Sequence, residues 1–191
     1  MTTQAEAADT AVRRRTRAAI LGAAVTVWAR DFGSPVSDIA DHAGVSRSTL
    51  HRYFPDRQAL IDQAFDAAYE EIQAASVLAT KQATTAREEL EGHIRASVQT
   101  GDAILFLFSD PNRFASREGV HGDPYADPES LELIRRAQDE GSVDPGLDPQ
   151  WVLGTFYSLV YLAAEMVATG ALPVHRAGDL AARTLFAGVS P

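Results

Sequence analysis

An all-helical chain is expected from three features of the sequence. Apolar residues recur three and four positions apart along most of its length, capping residues backed by Pro or Glu open the periodic segments, and no stretch of useful length alternates apolar with polar. With 191 residues, 46% of them hydrophobic, there is material for one compact helical protein or two small layers sharing a core, and disorder is excluded. No internal repeat is present. The chain has no cysteine, so disulfides, thiol redox sensing and thiolate metal sites are ruled out.

Residues 1–10 read as a mobile arm, followed by an amphipathic first helix over about 11–31. Residues 33–60, GSPVSDIADHAGVSRSTLHRYFPDRQAL, hold the most specific pattern. Ser34 is placed to cap a helix whose first residue is Pro35, where a missing amide costs nothing. Val36, Ile39, Ala40 and Ala43 then share one face, and Gly44 stands where a helix needs a left-handed residue to stop. Val45 tucks between this helix and the next. Ser46 caps a second helix, over about 47–54, whose buried side is Leu50 and Phe54. Arg47, Ser48, Thr49, His51, Arg52 and Tyr53 are left for its outer side. Two short helices joined by a tight turn, with polar groups near the start of the second, have the geometry that enters a DNA major groove.

These residues resemble the TetR family of transcriptional regulators. The shared pattern is Ile39-Ala40, Ala43-Gly44-Val45-Ser46, Thr49-Leu50, Tyr53-Phe54, Arg57 and Leu60, and with the first helix from about Arg17 it covers the first third of the chain. Arg135-Arg136-Ala137-Gln138-Asp139-Glu140-Gly141 followed by Leu147-Asp148-Pro149 is similar to a common passage between two ligand-domain helices of the family. His51 replaces the family's usual Tyr, Arg57 its usual Lys, and the segment from Gly33 to Ile39 is shorter than usual, so altered sequence preference is expected. The resemblance implies an N-terminal three-helix DNA-binding module over residues 11–55 and a helical effector-binding and dimerisation domain over 56–191. It also implies a ligand-responsive regulator, a repressor in the family's usual mode, that binds a palindromic double-stranded DNA operator as a homodimer and is released by a small molecule. Arg47, Ser48, Thr49 and His51 are assigned to base edges, and Arg52, Tyr53 and Arg57 to the DNA backbone.

Beyond this module, Asp56 caps a long helix reaching about residue 79, with Ile61, Phe65, Ala68, Ile72 and Ala75 on one stripe. Thr85 and Glu88 form a capping box opening a helix whose buried side is Leu90, Ile94, Val98, Gly101, Leu105 and Phe108. Residues 109–127 are turn-rich and placed to gate a pocket. Asp127-Pro128 and Asp148-Pro149 each start a helix, ending near Gly141 and Gly170, and a last helix covers about 176–188. The helix after Asp148 is apolar round nearly its whole circumference, which predicts burial on several sides. Gly154, Ser158, Ala163 and Ala164, with Ala177, Ala181 and Ala182 on the last helix, invite close approach of another helix. A homodimer through these last two helices is therefore expected, the alternative being a helix central to a monomer core. Phe106, Phe108, Phe114, Tyr125, Phe156, Tyr157 and Tyr161 supply surface for the pocket of an unidentified effector, and Glu165, the only acidic residue of the apolar helix, is a candidate to orient a polar or cationic ligand. The same residues also fit an ordinary core, and Glu165 also fits a bond across the dimer or contact with solvent.

The net charge of −9 is unevenly spread: residues 1–57 hold eight Arg against six acidic residues, +2, and the remainder carries −11. Arg13, Arg14, Arg15 and Arg17 gather at the start of helix 1, where positive charge can face phosphate. His121 and Asp123 are too few for a metal site, and His42, His93 and His175 have no ligand-spaced partner. No cofactor motif, nucleophile elbow, phosphate-binding loop or zinc-protease motif occurs, which argues against an enzyme using the C-terminal cavity. An architectural DNA-binding protein without an effector is the other alternative. No apolar run reaches the ~18 residues of a membrane span, and Glu6 and Asp9 precede the basic run where a signal peptide would be apolar. A cytoplasmic location with no membrane partner is expected.

Overall fold

The computed structural model describes residues 2–109 and 127–190, with side chains from residue 11 onward. Among these residues there are nine helices and no strand. They are α1 (Thr2–Arg30), α2 (Val36–His42), α3 (Arg47–Tyr53), α4 (Arg57–Thr80), α5 (Ala86–Gln99), α6 (Gly101–Phe108), α7 (Pro128–Asp139), α8 (Pro149–Ala168) and α9 (Val174–Val189).

Local chemistry sets most of the boundaries. The hydroxyl of Ser46 accepts from the Thr49 amide at 3.1 Å, the carboxylate of Asp56 from Ala59 at 2.8 Å, and those of Asp127 and Asp148 from Ser130 and Gln150 at 2.8 and 2.7 Å. Thr85 caps α5, while Glu88 reaches back to the amide and hydroxyl of Thr84, each at 2.8 Å, one residue earlier than in the standard box. Those two bonds hold the Glu88 carboxyl below its ordinary range. Gly44, at φ +67°, makes the left-handed turn between α2 and α3, and a side chain there would be strained although the space around it is open. Ser34 does not cap α2. Pro35 takes the cap position without a side-chain bond, and the Ser34 carbonyl is instead an acceptor for Trp28 and Arg57. Helix α1 begins at Thr2 rather than near residue 11: no Gly or Pro interrupts the chain before Gly22, and Ala is frequent there.

One expected helix is two. The chain breaks between α5 and α6 at Thr100, whose backbone departs from helical geometry at φ −95°, ψ 39°. Its hydroxyl donates to the carbonyls of Ala96 and Ser97, at 3.1 and 3.2 Å, and so competes with the helix ladder. Gly101 follows, with a Cβ position 3.6 Å from Ala164, so α6 starts in close contact with α8.

Two apolar cores result. The N-terminal core joins α1–α3, the first half of α4 and one face of α6 around Trp28, Phe54, Leu60 and Phe65. The C-terminal core joins α5, the other face of α6, and α7–α9. Helix α4 also packs along α5, and a Cβ on Gly92 would lie 3.2 Å from the Ala79 carbonyl oxygen and 3.0 Å from Thr80 Cγ2. Backbone cannot yield there, so Gly92→Ala is expected to lower stability by about 1–2 kcal/mol despite alanine's better helix propensity. Urea unfolding measures it.

Helix α8 satisfies the length and composition of a membrane-crossing helix, with mean hydropathy 1.4, contrary to the sequence expectation. Its apolar residues divide between the core and an outward face. Val152, Leu153, Phe156, Val160, Ala163 and Ala164 are buried within the subunit, whereas Trp151 and Leu162 are 69% and 51% exposed. The alanines expected to admit a partner helix, including Ala177, Ala181 and Ala182 of α9, are turned inward against the subunit's own core.

Candidate DNA-reading face and ligand cavity

Helix α3 is held by Leu50 and Phe54, both essentially without solvent contact. Arg47, Ser48, His51 and Arg52 are exposed, and Thr49 and Tyr53 half-buried. The Ser46 hydroxyl donates to Thr49 Oγ1 at 2.9 Å and lies 3.0 Å from Ser48 Oγ, so three hydroxyls cluster at the start of α3. Arg47 and His51 border a shallow hollow shared with Val36 and Ser37 of α2. Arg52 lies over the Tyr53 ring, 5.7 Å from its centroid. Farther along α1, Arg13, Arg14 and Arg15 are exposed, while Arg17 bonds Gln63 of α4 and lies 5.9 Å from the Phe54 ring centroid.

Arg57 is placed differently from the other six assigned residues. Its guanidinium donates to the carbonyls of Ser34, at 2.7 Å, and Phe32, and sits 4.7 Å from the centroid of Trp28 and 5.6 Å from that of Phe32. Trp28 Nε1 donates to the same Ser34 carbonyl at 3.1 Å. The start of α4 is thus fastened to the end of α1 and to the loop that launches α2. Sequence reasoning supplied the charge but not its destination, because carbonyls that lack a ladder partner leave no mark in a sequence.

Behind this module a cavity of about 720 Å³ opens between α4, α5, α6, α7 and α8. Of the residues expected to line it, Phe108, Phe156 and Tyr157 do, with Phe156 and Tyr157 edge to face at 5.4 Å. Phe106 does not. Two residues from Phe108, it points to the other side of α6, where it stacks on Trp28 at 6.1 Å and meets Phe32 and Phe65 in the N-terminal core. Tyr161 touches Phe108 at 5.9 Å but stands outside the cavity, and its hydroxyl donates to Glu165 at 3.1 Å. Partial burial, then this bond, pushes the Tyr161 phenol upward. Glu165 is exposed, so the cost of burying a lone carboxylate does not arise within the subunit. Phe114 and Tyr125 lie outside the described residues, as do His121, Asp123 and the remainder of the stretch from 110 to 126.

The polar lining went unrecognised in the sequence. His93 and Glu89, one turn apart on α5, face the cavity with Nε2 and Oε1 3.9 Å apart, and burial pushes the imidazole below its ordinary value against the pull of Glu89. Glu89 also pairs with Arg136 of α7. Arg135 instead pairs with Glu132 at 3.4 Å, while Glu140 accepts from the Ala86 amide. The only sequence signal was the four-residue spacing of Glu89, His93 and Ser97. Alone it reads as a solvated helix face.

Fold and site define a helix–turn–helix DNA-binding regulator with a helical domain behind it. Residues 20–64 match the family described as bacterial regulatory proteins, tetR family. The chain is 29% identical over 181 residues to the HTH-type transcriptional repressor LfrR of Mycolicibacterium smegmatis, spanning 95% of this chain and 94% of that one. It superposes with a TM-score of 0.74 on the crystal structure of the TetR-like regulator LfrR from Mycobacterium smegmatis in complex with proflavine, at 28% identity over 94% of this chain and 99% of the other. The ketosteroid transcriptional regulator KstR2 of Mycobacterium tuberculosis shares the fold, with a TM-score of 0.71 at 17% identity over 92% and 95% of the two chains. The match to the tetR family's model thus covers the reading module, and with the full-length similarity to a repressor it makes the chain a DNA-binding transcriptional regulator rather than an enzyme.

Proposed function

We propose that the protein is a repressor that binds a two-fold symmetric operator as a homodimer and is released when a small molecule enters the cavity. One observation carries the coupling: α4 and α6 line the cavity and also build the N-terminal core. Leu107 belongs to both, and Phe106 beside it stacks on Trp28. A second link is the Thr26 hydroxyl of α1, which donates to Asp102 of α6 at 2.9 Å. A ligand that moves α4 or α6 therefore moves α1 and, through Arg57, the loop that positions the reading helices. The complex of the relative LfrR with proflavine supports a small-molecule effector for the cavity.

Dimerisation is proposed through the outward faces of α8 and α9. On α8, Trp151, Thr155, Ser158 and Leu162 follow one another at helical spacing, and Leu180 and Val174 of α9 are also exposed. A second copy covering these faces accounts for the apolar surface of α8. Two reading helices then face one DNA side at a fixed spacing, which must be near ~34–36 Å for successive major grooves.

On DNA, this reading assigns Arg47, Ser48, Thr49 and His51 to base edges, and Arg52 and Tyr53 to the backbone. Arg57 positions the module from behind. Arg47→Ala and His51→Ala should each cost about 1–3 kcal/mol on the preferred duplex while leaving binding to unrelated DNA nearly unchanged. Arg52→Ala should weaken both alike and lower the salt slope by about one. Fluorescence anisotropy over a salt series separates the two; equal losses on both duplexes for Arg47→Ala and His51→Ala would remove them from base reading.

A further inference from the structure

The cavity's polar groups run along one line. Glu89, His93 and Ser97 succeed each other every four residues on α5, so they form a stripe from the rim inward. The Glu89 and His93 side chains each keep 32% of their exposure, whereas Ser97 keeps 6%. Ser76 of α4, 5% exposed, also lines the cavity. Among the described residues neither serine hydroxyl has a hydrogen-bond partner, and a buried polar group without one points to a group that enters the site.

Charge at the rim is one-sided. Among the described residues, Glu89, Asp127, Glu129 and Glu132 line the cavity with Arg136 as the sole guanidinium, and burial pushes the His93 imidazole below its ordinary value. Asp127 is occupied in capping α7, and Glu132 holds Arg135. Glu89 stands at the rim end of the stripe and is held by Arg136, whose side chain is 49% exposed. A half-exposed ion pair of this kind contributes little to stability and is readily exchanged. Phe108, Phe156 and Tyr157 supply aromatic surface beside it, suited to a flat, positively charged ring system.

We propose that Glu89 receives the positive charge of an aromatic, cationic effector, that Arg136 holds this carboxylate until the cation displaces it, and that Ser76 and Ser97 bond the effector's inner polar end. The inference rests on the cavity being the effector site. It makes the displaced Arg136 the local event on α7 that accompanies binding.

The test uses the purified full chain and two fluorescent probes: acridine orange, a planar cation, and acridone, an uncharged ring system on the same three-ring frame. The intact protein should bind the cation more tightly than the neutral probe. Glu89→Gln should weaken the cation about tenfold and leave acridone unchanged, which also shows that the cavity is still formed. Arg136→Gln should strengthen the cation several-fold by removing its competitor. If both probes bind equally and Glu89→Gln changes neither, or if Arg136→Gln weakens the cation, the exchange is refuted while the cavity stands as a ligand site. If neither probe binds the intact protein, both readings fail.

Discussion

Leu162→Glu is expected to turn the protein into a monomer at micromolar concentration and to reduce operator affinity by about a thousandfold. Leu162 is 51% exposed within the subunit, on the stripe that includes Trp151 and Ser158, so the substitution leaves the subunit core intact. In the proposed dimer the new carboxylate would meet the apolar face of a second copy, where burying an unpaired charge costs several kcal/mol. A monomer presents one reading helix to one half-site, and specific binding of a two-fold regulator exceeds non-specific binding by ~10³ or more. Sedimentation velocity and anisotropy measure both effects, with helical circular dichroism expected to change little. A variant that stays dimeric and binds normally would place the partner elsewhere.

Arg57→Ala is the second large effect, and it acts from within the module. It removes two charge-assisted bonds to the Phe32 and Ser34 carbonyls and the contacts with the Trp28 and Phe32 rings. Loss of about 3 kcal/mol is expected, a fall of roughly 10 °C in the unfolding midpoint. Arg57→Lys should recover less than half, because an ammonium cannot span both carbonyls in the fork geometry. DNA affinity should fall with the salt slope unchanged. A slope reduced by about one charge, with stability intact, would instead make Arg57 a phosphate contact.

What the sequence could reveal was governed by the range of each interaction. Caps act over three residues, so Ser46, Asp56, Thr85, Asp127 and Asp148 were readable, as was the left-handed turn at Gly44. The helix–turn–helix is built almost wholly from such local signals, which is why it was recognisable without a structure. Faces are different. Periodicity shows that a helix has an apolar side but not which neighbour meets it. Phe106 and Phe108 both looked suited to a pocket, yet one is in the N-terminal core and the other lines the cavity. For the same reason, the spacing of the alanines of α8 and α9 marks a small-residue face without telling that it turns inward. The break at Thr100 depends on a side chain bonding its own preceding turn and on α8 lying against Gly101. His93 became notable only when the fold set it between Glu89 and a cavity; spacing alone left it a solitary histidine.

Two copies of one reading helix, held at a spacing set by α8 and α9, are proposed to recognise one stretch of DNA. Selection of bound duplexes from a random pool, carried out in low and in moderate salt, tests it most directly. A two-fold symmetric motif with half-sites one helical turn apart, recovered at both salt concentrations, is the predicted result. A pool without a motif, or one whose enrichment vanishes as salt is raised, would contradict the claim and leave a protein that binds DNA by charge alone.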